Sequence, residues 1–317
     1  MQNNNVEIFF PGFTKKSVTF TIDDGNIKYD EKFLSIVRPA GIKGTFNLCM
    51  PTKLTPEKYR EMYQGYEIAN HCKFHPELFR KDKVYIISDE KFDPLTSSRY
   101  TDETPYVYKF DGEDGLYLIH ARKVDSRPDG WIKLATEQTY MRLVGESHDD
   151  LEEVFGKGSI KSYVWPFGDQ KNPEIQAALM ERGYNSVRKT GLVEHFDLPS
   201  DRSAWSYNAR EGRLLSKMEE YESLSDDGKL KFFAFGIHSI DYERADAWPE
   251  LREFAAKYGN RPEEFYYASV SDIFEYEDAV KALAVTDTEI INNSDKEIYL
   301  KVRGERMTVA PKSKITI

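Results

Sequence analysis

The sequence predicts an α/β protein built on a parallel sheet, with a β-rich insertion and a small antiparallel annex near its C-terminal end. Three observations carry that expectation. Strand patterns and amphipathic helix patterns alternate through most of the chain. The rhythm breaks between residues 83 and 133, where strand-like pieces are separated by Asp, Gly and Pro. It breaks again after Ala284, where short strand patterns follow one another with polar turns between them. The chain has 317 residues, 40% of them hydrophobic, which is enough for one large core and a small addition. We therefore divide it into residues 1–284, containing the insertion at about 83–133, and an annex at 285–317.

The elements are read in order. Residues 17–23 alternate Val18, Phe20 and Ile22 with Thr19 and Thr21, the period of a strand. Residues 31–37 read as a helix and 44–48 as a second strand. Thr55 and Pro56 suit the cap and first turn of a helix over 57–63. Residues 66–69 form a third strand that stops just before His71. The insertion holds strand-like pieces at 84–87, 106–110 and 116–120. A helix over 137–155, a strand at 163–165 and a helix over 172–182 ending at Gly183 follow. An apolar strand at 232–237, a helix over 248–258, a strand at 265–268 and a helix over 271–283 complete the larger part. The annex strands are 289–292, 297–302, 306–309 and 314–317, and with no His or Cys among them no chemistry is expected there.

Bulk properties exclude some partners. The formal net charge is -10, with no block of Lys and Arg to override it, so nucleic acid and anionic lipid are repelled. No apolar run is long enough to span a bilayer. No signal peptide is visible in residues 1–13, which fits either a cytoplasmic protein or a secreted one whose signal has been removed. The two cysteines, Cys49 and Cys72, read as buried thiols rather than a disulfide framework or a zinc knuckle.

Four clusters follow strand ends. Asp23 and Asp24 end the first strand and Gly25 permits a sharp turn after them. On an ideal strand the two carboxylates would point to opposite faces, but at a strand end running into a turn both can reach one site. His71 and His75 come just after the third strand. Pro76 disfavours helical geometry at His75 and suits the first turn of a new helix over 76–80, so both histidines are placed on a loop folded over the strand end. Trp165, Pro166, Phe167, Gly168 and Asp169 form a turn whose backbone N–H groups can face a developing oxyanion. His238 ends the apolar strand at 232–237, on the same rim of a parallel sheet as Asp23. Each cluster alone also reads as an ordinary turn or a structural histidine. Together they supply a carboxylate and two imidazoles for a metal, with an acid and a base left over.

The order Thr-Ile-Asp-Asp-Gly, His-x-x-x-His, Pro-Phe-Gly and a strand-terminal His resembles the polysaccharide deacetylase family, carbohydrate esterase family four. The resemblance covers roughly residues 15–283 apart from the insertion. It implies a distorted (β/α) barrel of seven or eight strands. It implies one divalent ion, zinc first and cobalt or nickel as alternatives, held at Asp24, His71 and His75. It implies Asp23 as the base that activates water, His238 as the acid that protonates the leaving group, and a backbone N–H near Phe167 for the oxyanion. Pro166, Phe167, Gly168 and Trp205 are carried over as substrate-binding residues, with Trp205 as a wall of the pocket. The chain departs from the family at Val164, where an Arg that steadies the base is common, so no partner for Asp23 is assigned.

The expected function is removal of acetyl groups from N- or O-acetylated carbohydrate. Two alternatives are a small non-sugar amide at the same metal site and a catalytically weak carbohydrate-binding protein on the same scaffold. The insertion is assigned to the substrate cleft or a subunit contact, and the annex to packing or a homo-oligomer surface.

Overall fold

The structure is a computed structural model that describes residues 6–51, 54–78, 108–109, 116–119, 131–135, 137–168 and 172–317. Eight strands make one parallel sheet. They are β1 (Lys16–Asp23), β2 (Gly44–Met50), β3 (Glu67–Lys73), β4 (Ser162–Val164), β5 (Ser186–Leu192), β6 (Trp205–Tyr207), β7 (Lys231–Phe235) and β8 (Phe265–Tyr267). The order is β6-β5-β4-β3-β2-β1-β7. β1 pairs with β2 over Phe20–Asp23 and with β8 over Lys16–Val18. The sheet curls until the segment after β6 meets β7, where Ala209 bridges Phe235. This is the distorted barrel expected from the motifs.

Alternation along β1 explains the two faces. Val18, Phe20 and Ile22 point outward into the main core with Phe33, Leu34 and Val37 of helix α1 (Ile27–Val37). The Phe20 and Phe33 rings meet edge to face at 5.0 Å. Ser17, Thr19, Thr21 and Asp23 are the other set, and all are buried too. A barrel interior lined with hydroxyls must satisfy them internally, and Asn47 of β2 donates from Nδ2 to Thr21 Oγ1 at 2.8 Å.

Helices α2 (Pro56–Met62), α3 (Glu137–Phe155), α4 (Pro173–Glu181), α5 (Leu214–Glu222), α6 (Ser239–Arg244) and α7 (Trp248–Tyr258) lie between the strands, with β5 and β6 joined by a 3-10 turn and α6 running into α7. Asn172 caps α4 by accepting from the Ile175 N–H at 3.0 Å. Helix α8 (Val270–Lys281) follows β8 and brings its N-terminus to the barrel interior. There the Val270 N–H reaches Thr45 Oγ1 and the Ser271 N–H reaches Glu67 Oε2.

Several expectations are corrected. β3 does not stop before His71. Its pairing with β2 continues across an irregularity, Leu48 opposite Asn70 and then Met50 opposite Lys73, so His71 lies inside a strand and not on a loop. The helix expected over 76–80 is absent from its described part. Glu77–Leu78 is a short strand, parallel to Trp131–Ala135, since Pro suits the start of a strand as well as that of a helix. Within the insertion, Tyr108–Lys109, Leu116–Ile119 and Trp131–Ala135 complete a four-stranded sheet, while the strand expected at 84–87 lies outside the described residues.

The C-terminal strands are Leu283–Val285, Glu289–Asn292, Ile298–Val302, Glu305–Val309 and Ser313–Thr316. Ile298–Val302 pairs antiparallel with Val6–Phe9, a strand from the other end of the chain. Ile290, Ile298, Leu300, Val302 and Val309 share a second core with Phe274 and Tyr276 of α8. Among the described residues no helix is long and apolar enough to cross a membrane.

Candidate active site

The ends of β1 and β7 meet at the mouth of the barrel. The Asp23 N–H donates to Ile237 O at 2.6 Å, and Asp23 and His238 form a parallel bridge. The base and acid expected from sequence are therefore backbone neighbours. Asp24 and Gly25 then both take positive φ, 75° and 65°. Two left-handed residues in succession break the strand alternation, which lets Asp24 serve the same side as Asp23. Asp tolerates this region better than most residues. Gly25 is also sterically fixed, because a Cβ there would lie 2.9 Å from Leu48 Cδ2.

Asp23 is buried and clamped. Arg188 Nη2 donates to both of its oxygens, at 2.5 Å to Oδ2, and Asn47 Nδ2 donates to Oδ1 at 2.7 Å. Arg188 is fully buried on β5. The cation that family members place two residues before the Pro of the third motif is thus supplied one strand over. Sequence reading missed it because Ser186–Leu192, with Arg, Lys, Thr and Gly, lacks the apolar alternation of a strand. The only available signal was an Arg within a run beginning three residues after the end of the helix at Gly183.

Asp24 faces two histidines. Its Oδ1 lies 3.4 Å from His71 Nε2 and 3.6 Å from His75 Nε2. His71 Nδ1 is 2.9 Å from the Val164 carbonyl oxygen. A carbonyl only accepts, so Nδ1 carries the proton and the lone pair of Nε2 is turned toward Asp24, the arrangement of a metal-ligating histidine. His75 sits in a turn with φ 48°, after Phe74 at φ 62°, and its ring stands 4.9 Å from that of His71. Burial, with the neighbouring His71, lowers the His75 pKa to about 4, so its ring is neutral near pH 7. Burial opposes ionisation of Asp24, but in acid, interaction with His71, His238 and His75 in their charged forms holds its carboxyl well below the usual range. A carboxylate and two imidazole nitrogens grouped this closely, the His71 one presenting its lone pair, can hold a cation between them. Donors on one tetrahedral ion with bonds of ~2.1 Å lie ~3.4 Å apart, which the observed spacings match. The residues present fit a divalent ion.

His238 is the counterpart. Burial alone would lower its pKa, but the 2.7 Å hydrogen bond from Nδ1 to Asp241 Oδ2, with the negative charges of Asp23 and Asp24, raises it to about 9. Its ring carries a proton near pH 7, and Nε2 lies 3.7 Å from Asp24 Oδ2.

The third cluster divides. Phe167 is exposed, with φ 56°, and its ring stands 4.5 Å from that of His75, at the rim of the site. Gly168 follows with φ 87°, where a Cβ would lie 2.1 Å from Thr190 Oγ1. Pro166 is buried in the same turn, and Asp169 lies outside the described residues. Trp205 is a correction. It is 4% exposed and packs between Phe232 and Phe274 in the second core, so it cannot wall a pocket. A Trp after a short polar turn reads the same from sequence whether it faces solvent or a helix, and here α8 covers it. The preceding Asp201 caps a short turn and Arg202 pairs with Glu277 and Asp278 of α8, so this stretch is structural.

Comparison with known proteins follows this geometry. Residues 11–109 match the model of a family described as polysaccharide deacetylase. No curated protein matches the chain. Among solved structures, the Xyl-CE4 domain of a multidomain xylanase from the hindgut metagenome of Trinervitermes trinervoides is similar at 14% identity and TM-score 0.44, over 84% of this chain and 92% of that one. The chitin deacetylase of Colletotrichum lindemuthianum is similar at 14% identity and TM-score 0.42, over 84% and 88%. The peptidoglycan deacetylase PdaC of Bacillus subtilis is similar at 14% identity and TM-score 0.43, over 84% and 94%. The segment that carries Asp23, Asp24, His71 and His75 is thus the segment that is similar to the family described as polysaccharide deacetylase.

Proposed function

We propose that this protein removes acetyl groups from N- or O-acetylated carbohydrate, with a divalent ion held by Asp24, His71 and His75. The observation that carries the reading is the division of labour between two adjacent acids. Asp23 is locked to Arg188 inside the barrel, while Asp24 faces the Nε2 atoms of two histidines.

When bound, the ion supplies Lewis-acid polarisation of the acyl oxygen and makes water a stronger acid. The chain's own residues do the rest. Asp23, fixed by Arg188 and Asn47, accepts the proton of the attacking water. His238, charged and oriented by Asp241, gives its proton to the leaving nitrogen or oxygen as the acyl bond breaks. The backbone N–H of Phe167 is the proposed donor to the oxyanion. Its exposed ring, beside His75, gives a sugar an apolar face to rest on.

Elemental mass spectrometry on the wild type and His71→Ala, with acetate release from acetylated chitin and xylan fragments, tests this. About one divalent ion per chain, lost in the variant together with acetate release, is the expected result. A metal-loaded protein that cleaves small amides but no acetylated sugar would overturn the substrate class. A protein that takes up no divalent ion would overturn the mechanism and favour a carbohydrate-binding role.

A further inference from the structure

Strand β2 delivers one more group to the site, unused by the acid–base scheme. Side chains alternate along a strand, so Thr45, Asn47 and Cys49 share one face. The first two face the barrel interior, since Thr45 Oγ1 donates to Glu67 and Asn47 Nδ2 to Asp23. Cys49 continues that row at the mouth, with Sγ 3.3 Å from the His71 carbonyl oxygen. Its Sγ, a carboxylate oxygen of Asp24 and one ring nitrogen each of His71 and His75 all lie within 4.8 Å of one another. Bonds to one zinc ion are ~2.3 Å from sulfur and ~2.0–2.1 Å from nitrogen, so a sulfur and a nitrogen donor on one tetrahedral ion stand ~3.6 Å apart. Closing on one ion therefore shortens the widest spacing in the set, at most 4.8 Å, by ~1 Å. Cys72 is the internal contrast. It follows His71 directly, yet its side chain is fully buried in the main apolar core.

We infer that Cys49 is a fourth protein ligand of the ion held by Asp24, His71 and His75, giving a Cys-His-His-Asp donor set. The inference rests on the metal-site reading above. Its consequence is selectivity. A thiolate is a soft donor, so the site should hold zinc or cobalt and reject magnesium, calcium and manganese, which prefer oxygen. On binding, the thiol proton is released to solvent. A fourth protein ligand need not end hydrolysis, because zinc in catalytic sites expands to five partners.

The test is the absorption spectrum of the full chain loaded with one equivalent of cobalt(II). The wild type should show a near-ultraviolet sulfur-to-cobalt charge-transfer band beside the visible ligand-field bands. Cys49→Ser should lose the charge-transfer band while elemental analysis still finds about one cobalt per chain. Cys72→Ser should keep both. A wild type that binds one cobalt, lost in His71→Ala, but lacks the charge-transfer band would overturn the assignment of Cys49 and leave the three-ligand site standing. Persistence of the band in Cys49→Ser would overturn it equally. A wild type that binds no cobalt or zinc would sink the metal-site reading itself, a failure that elemental analysis separates from the other two.

Discussion

The barrel holds an acid at each end, and the two are satisfied in opposite ways. Glu67, at the start of β3, accepts from Thr45 Oγ1 at 2.6 Å, Ser162 Oγ at 2.9 Å, the Ser271 N–H at 3.1 Å and Ser271 Oγ. Its partners are neutral donors and the N-terminus of α8, where a negative charge is favoured. The acid serves to dock α8 beneath the sheet. Asp23, at the end of β1, is bound to a buried guanidinium and flanked by a second carboxylate and a charged imidazole. A saturated ring of neutral donors makes a structural carboxylate. A cation clamp beside a second carboxylate and a charged imidazole suits the base proposed above. The strand direction is the same, so the difference arises from what closes each end.

The largest expected effect breaks the reactive end. Asp23→Asn should lose ~10²–10⁴ of the acetate-release rate, the usual contribution of a general base, while keeping its metal and its circular dichroism spectrum. Loss of metal with the activity would place Asp23 among the ligands and end the contrast between the two acids at β1. Arg188→Met strips the buried Asp23 of its cation and should cost ~3–5 kcal/mol in denaturant unfolding, together with activity. Arg188→Lys, which restores charge without the guanidinium fork, should recover part of both. Equal stability of Arg188→Met and wild type would show that the clamp holds nothing.

A third buried acid sharpens the comparison. Asp30 of α1 accepts from Ser239 Oγ at 2.5 Å and from the Tyr63 hydroxyl at 2.7 Å, with no cation in contact among the described residues. Burial pushes its pKa up to about 7, against the bonds from Ser239 and Tyr63 and helped by the charges of Asp24 and Asp23. The sign follows from proton uptake. Between the ordinary value of 3.8 and about 7 the folded state keeps a proton that the unfolded state has lost, so stability falls as pH rises through that window. Asp30→Asn should therefore unfold at a higher temperature than wild type at pH 8, by the equivalent of a few kcal/mol, and show little difference near pH 4. The same gap at both pH values would exclude titration of Asp30 as its cause. Glu67→Gln should cost ~1–3 kcal/mol at the closed end, because an amide cannot accept from all four donors, yet leave acetate release per folded molecule unchanged. A fall in kcat there would mean that the closed end participates in catalysis.

The smallest effect is a shift rather than a loss. Activity that needs a proton on His238 should fall as pH rises through about 9. Asp241→Asn removes the hydrogen-bonded negative charge and should move that alkaline limb down by ~1 unit or more. An unmoved limb in a kcat-against-pH profile would take the acid's role away from His238.

The elements with strong periodicity were legible from sequence. Residues 137–155 and 248–258 are helices with the bounds that their patterns gave. Both acids, both histidines and His238 could be named from turn signals and from the order of the motifs, although His71 proved to lie within β3 rather than beyond it. β5, β6, α5 and α6 were not legible. β5 spends its inward positions on Ser186 and Arg188 rather than on apolar residues, and β6 is only three residues long.

By itself the sequence determined the alternation that forces a parallel sheet, the acids that end β1 and the two histidines four residues apart. Only the tertiary structure decided that Arg188 clamps Asp23, that Cys49 stands beside His71, that Trp205 is buried under α8 and that Val6–Phe9 completes the C-terminal annex. The physical reason is range. Periodicity and turn chemistry act over a few residues, whereas Asp23 and Arg188 are 165 residues apart and meet because the sheet curls. A residue's face within a closed barrel is set by that closure, which no local pattern encodes.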